Sequence, residues 1–70
     1  MWRYKATIKE NPHNSREIEV GMWVIFYSDS SYPIGGHGED VVNAFMEKLG
    51  VDIRKAGVIS SHYIDVVRLD

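Results

Sequence analysis

Three histidines (His13, His37, His62), six serines and two acidic pairs are the side chains in this sequence with catalytic or ligating chemistry. Histidine is the commonest metal ligand, but a site needs three or four convergent donors. These three are far apart, and no two share the spacing that puts them on one face of a helix or strand. They read as surface imidazoles, and no metal site is expected. Nucleophilic catalysis by serine needs a base in hydrogen-bond reach and donors for an oxyanion. No Gly-x-Ser-x-Gly elbow occurs, and Ser60-Ser61-His62 reads as a turn into a strand. The pairs Glu17/Glu19 and Glu39/Asp40 read as a solvated strand face and a helix start. Gly35-Gly36-His37-Gly38 precedes a helix, where bare N–H groups can cradle phosphate. Position 41 is Val, however, so the third glycine of a dinucleotide fingerprint is missing. Glu39 and Asp40 also put negative charge where the phosphate would sit. The expectation is a protein with no catalytic residues, no cofactor and no metal; a small enzyme or ligand-binding domain is the last alternative.

Binding surfaces are better supported. Arg3, Lys5 and Lys9 project to one side of the first extended segment, with Trp2 and Tyr4 nearby. Cations beside aromatics can neutralise phosphates and stack bases. The alternation of a strand, though, sends Trp2 and Tyr4 to the face opposite the cations. The chain is also mildly acidic at −2, whereas nucleic-acid binders usually carry a basic excess. Nucleic acid is therefore the second choice of partner. The first comes from Trp23, Ile25 and Tyr27, extended by Tyr32 and Ile34. If Met22, Val24 and Phe26 enter the core, the alternate set needs separate cover, from the loop at 28–38 or from another molecule. Aromatics are enriched at interface centres, and large exposed apolar patches mark contacts. The expected partner is a protein, either a second copy joined through the strand around Trp23 or a different chain.

Charge is unevenly spread. Residues 1–16 carry Arg3, Lys5, Lys9 and Arg16 against Glu10, a net of +3; residues 17–47 carry six acids and no Lys or Arg, a net of −6. The plain expectation is that these charges meet across a sheet.

The elements that would position these residues follow from periodicity. Residues 2–9 alternate apolar and polar, the pattern of a half-buried strand. Glu10 to Ser15 is a turn cluster. A second extended region runs over 16–28. Its first part, 16–20, reads as a half-solvated strand, and Gly21 is expected to break the run by a bulge or turn. Residues 28–38 are a loop rich in Ser, Gly and Pro. A helix over 39–49 has Glu39 and Asp40 in its first turn, Lys48 in its last, and Gly50 at the left-handed position beyond. Asp52 caps a short turn over 53–56, closed by Gly57. A last strand covers about 62–69. The order β-β-(β)-α-β predicts an α+β fold, a small antiparallel sheet with one helix packed on one face. The alternative is a small five-stranded barrel with one helix.

At 70 residues the chain is expected to be a single domain over 1–70, with a thin stability margin. The absence of cysteine excludes disulfides and thiolate metal sites and favours a cytoplasmic address. No apolar run is long enough for a signal peptide or a bilayer span, so no membrane association is expected.

From Gly21 onward the sequence resembles a family of short, uncharacterised bacterial proteins from Bacteroides-like genomes. The residues carrying the resemblance are Gly21-Met22, Val41-Val42-Asn43-Ala44-Phe45, Lys48-Leu49-Gly50-Val51-Asp52-Ile53, Lys55-Ala56-Gly57 and Val66. They cover about two thirds of the chain. Most are helix-stripe and capping positions, so the resemblance implies a fold and carries no activity or ligand with it.

Overall fold

The computed structural model describes residues 1–34 and 38–70. Its elements are β1 (Trp2–Ile8), β2 (Trp23–Ser28), α1 (Glu39–Leu49) and β3 (Ile64–Arg68). The sheet order is β2-β1-β3, with both neighbours antiparallel to the central β1. This is the expected α+β sheet with one helix on one face. The sheet stays open with two free edges, so the barrel does not form.

The strand expected over 16–20 is absent, and residues 9–22 are turns and irregular backbone. Local hydrogen bonds redirect the chain there. The Asn11 side chain accepts from the Ser15 N–H at 3.0 Å and donates to the Ser15 carbonyl at 2.9 Å. Asn14 takes positive φ, a backbone state this residue type tolerates. The alternation of Ile18 and Val20 with acids mimics a strand, yet only Ile18 is buried.

The break at Gly21 is present. Gly21 donates to the Ile8 carbonyl at 2.7 Å, and Ile8 donates to the Met22 carbonyl at 2.8 Å. Two residues thus oppose one, a bulge whose first residue needs positive φ; Gly21 has φ 100°. The bulge starts β2 and does not separate two strands.

The helix begins and ends where its sequence pattern says. Gly38 precedes it at φ 59°, and a Cβ there would lie 2.7 Å from Ile59 Cγ2. No other residue fits that approach without displacement. Gly50 closes the helix in the left-handed conformation. Asp52 Oδ1 then accepts from the Arg54 and Lys55 N–H groups at 3.0 and 3.1 Å.

The core lies between the inner sheet face and a cover made of α1, the 50–59 segment and Ile18. Tyr4, Ala6, Ile8, Val24, Phe26 and Ile64 come from the strands; Val41, Ala44 and Phe45 come from the helix. Tyr4 and Phe26 are register partners whose rings stack at 5.7 Å. The helix packs chiefly along β2. It is tied there by Ser28 Oγ donating to Asp40 Oδ2 at 2.5 Å and by Lys48 Nζ donating to the Ile25 carbonyl.

Candidate interaction surface

Strand alternation leaves a second, outer face with no element packed on it among the described residues. Arg3 faces Tyr27, Lys5 lies between Ile25 and Val67, and Thr7 lies between Trp23 and Asp65. Trp23 is 52% and Tyr27 61% exposed. Lys5 Nζ sits 4.7 Å from the Trp23 ring centre, a cation–π contact. This arrangement corrects one inference from the sequence. Trp2 and Tyr4 do lie opposite the cations of β1: Tyr4 is buried with its hydroxyl donating to the Ser30 carbonyl at 2.7 Å, and Trp2 lies beside Arg68. But β2 brings its own aromatics to the cation face. The two candidate surfaces, one on each strand, meet on one face.

Not every candidate joins it. Ile25 is half-buried between its neighbours, and Lys9 is exposed just beyond β1. Tyr32 is exposed in the loop after β2, held by its N–H donating to Ser30 Oγ. Ile34 is 5% exposed and belongs to the core, so it leaves the candidate surface. The described part of the loop thus sends Ile34 to the inner side, while Trp23 stays half-exposed. Nor do the charges neutralise across the sheet. Among the described residues the ion pairs are Met1 amine–Asp29 at 3.7 Å and Lys55–Glu17 at 3.3 Å. Neither joins two strands.

A groove runs where the C-terminal part of α1 meets the free edge of β2. One part, about 730 Å³, is walled by Val20, Met22, Trp23, Ile25 and Leu49, with Glu19 and Lys48 among its lining. A second part, about 250 Å³, is lined by Tyr27, Asp40, Asn43, Glu47 and Lys48 among others. Lys48 borders both. No signal in the sequence points to this groove, because it exists only where the helix meets the strand edge.

Of the residues with catalytic chemistry, Ser28 meets Asp40 in the hydrogen bond that ties the helix to β2. His62 N–H donates to Ser60 Oγ at 3.1 Å, and the Ser60 carbonyl accepts from Tyr63 and Ile64. That is turn geometry. His13 lies against Gly57. Among the described residues, no three of His, Asp or Glu gather as a metal would need. Gly35, Gly36 and His37, most of the glycine loop considered for phosphate, lie outside the described residues.

A family of unknown function (DUF6140) matches residues 1–66. The chain belongs to this family. The DUF6140 match reaches back through β1, so the family frame includes the basic strand as well as the residues from Gly21 onward. No curated protein and no solved structure matches the chain. Among the described residues of this DUF6140 member, no helix is long and apolar enough to cross a membrane.

Proposed function

We propose that this protein is a non-enzymatic interaction module that binds a partner protein through β2. The observation that carries this reading is the pair of large aromatics, Trp23 and Tyr27, standing half or more exposed on a sheet face that no described element covers. Solvating such a patch is unfavourable, and contact with another chain relieves it. Its composition, aromatic with a flanking arginine, matches that of interface centres. Lack of cysteine favours a reducing compartment, and the resemblance favours a bacterial one. The test is capture by wild type and by Trp23→Glu and Tyr27→Glu, each checked for folding by circular dichroism. A partner held by wild type and lost from both folded variants supports the reading. Partners retained equally by all three would sink it.

A second reading has one observation in its favour. Arg3 and Lys5 share a face with Trp23 and Tyr27, so phosphate contacts and base stacking come together on one surface. It expects salt-sensitive binding of single strands that weakens on Lys5→Glu. Anisotropy of a labelled oligonucleotide at low salt decides it; no change on adding protein ends the reading.

A further inference from the structure

The free edge of β2 carries more information than the exposed rings. Val24 and Phe26 pair with β1 at Ala6 and Tyr4, in phase with the Met22–Ile8 hydrogen bond. Antiparallel alternation then points the backbone groups of Trp23, Ile25 and Tyr27 away from β1. The Ile25 carbonyl bears this out, since it accepts from Lys48 Nζ on the helix side of the edge. An unpaired row of this kind is a template for another strand. Here the template forms one wall of a groove whose opposite wall is α1.

A second copy joined antiparallel meets a steric conflict at that edge. Paired strands lie about 4.8 Å apart, whereas packed helices need about 8–10 Å between axes. Because α1 packs along β2, two copies joined β2 to β2 antiparallel would drive their helices together on one face. An occupant without its own helix has no such conflict. Charge selects it further. Glu19, Asp40 and Glu47 line the two parts of the groove against Lys48 alone, a net of −2. Three of the six acids of residues 17–47 thus line the groove.

We propose that the β2–α1 groove takes an extended cationic peptide segment of another protein as an added strand. The proposal rests on the protein-binding reading above and names its ligand class. Main-chain hydrogen bonds to Trp23, Ile25 and Tyr27 give affinity, and alternate side chains give specificity. Aliphatic side chains enter the part walled by Val20, Met22 and Leu49. Lysine or arginine faces Asp40 and Glu47. The Lys48 ammonium occupies the Ile25 carbonyl until the incoming N–H replaces it, which guards the edge when no ligand is present.

The experiment is an amide-resolved NMR titration with three synthetic peptides of eight residues. One has valine at alternate positions and two lysines at one end. A second replaces the lysines with glutamates. A third repeats the first with alternate backbone nitrogens methylated. The expected result is saturable binding of the first peptide only, with the largest shifts at Trp23, Ile25, Tyr27 and Leu49. Lys48→Met is expected to tighten binding about fivefold, the worth of one released hydrogen bond. Equal binding of the methylated peptide overturns the proposal, as does weaker binding by Lys48→Met. Shifts confined to Arg3, Lys5 and Val67 overturn the edge site while leaving a protein-binding outer face. No shift with any peptide overturns the edge site; partner capture by wild type that fails in Trp23→Glu then still upholds the broader reading. A concentration-dependent dimer that the first peptide dissociates would put a second copy in the groove, and would also overturn the proposal.

Discussion

The two faces of this sheet are built from the same three strands by alternate residues, and they meet opposite fates. On the inner face Tyr4, Ala6, Ile8, Val24, Phe26 and Ile64 are buried. On the outer face Arg3, Trp23, Tyr27 and Val67 are exposed, with Lys5 and Ile25 half-buried between them. One 11-residue helix and one short irregular segment suffice for a single side. Stability therefore belongs to the inner face, and the binding capacity proposed above belongs to the outer face and the β2 edge. Substitutions on the two sides should separate these properties.

The largest effect is expected from Phe45→Ala, at the centre of the core with no exposure. Removing a buried phenylalanine costs about 3–5 kcal/mol. A domain of this size has roughly 4–10 kcal/mol in total, at about 0.05–0.15 kcal/mol per residue. Thermal denaturation followed by circular dichroism should show a severely lowered midpoint or no folded baseline. Next comes Gly38→Ala, which combines positive φ with the approach to Ile59. A loss of about 1–3 kcal/mol is expected, readable by urea titration; an unchanged midpoint would remove the steric account of that helix start. Tyr4→Phe keeps the ring stack and deletes the hydrogen bond to the Ser30 carbonyl, a change of about 1 kcal/mol.

On the outer side, Trp23→Glu should shift stability by no more than about 0.5 kcal/mol while abolishing partner capture. If it melts like Phe45→Ala, the outer face is structural and the contrast between faces collapses. The smallest effect is expected for Lys55→Ala. It removes an exposed ion pair to Glu17, and a double-mutant cycle with Glu17→Gln should return under about 0.5 kcal/mol.

The sequence by itself determined the local elements. Period-two alternation gives β1, the apolar stripe between Glu39 and Gly50 gives α1 with its observed ends, and the glycine between Val20 and Met22 gives the bulge. These are legible because propensity, capping and periodicity act within a few residues. The same short-range view misleads at 16–20, where side-chain hydrogen bonds of Asn11 win over a strand-like alternation, and at Ile34, whose burial depends on where its loop folds. The shared face of Lys5 and Trp23, 18 positions apart in the chain, was settled only by the register of β1 with β2. The groove needed the tertiary structure too, because its walls are a strand edge and a helix that meet only after the core has formed. Register and helix placement come from the collective packing of distant apolar residues, and no local pattern encodes that sum.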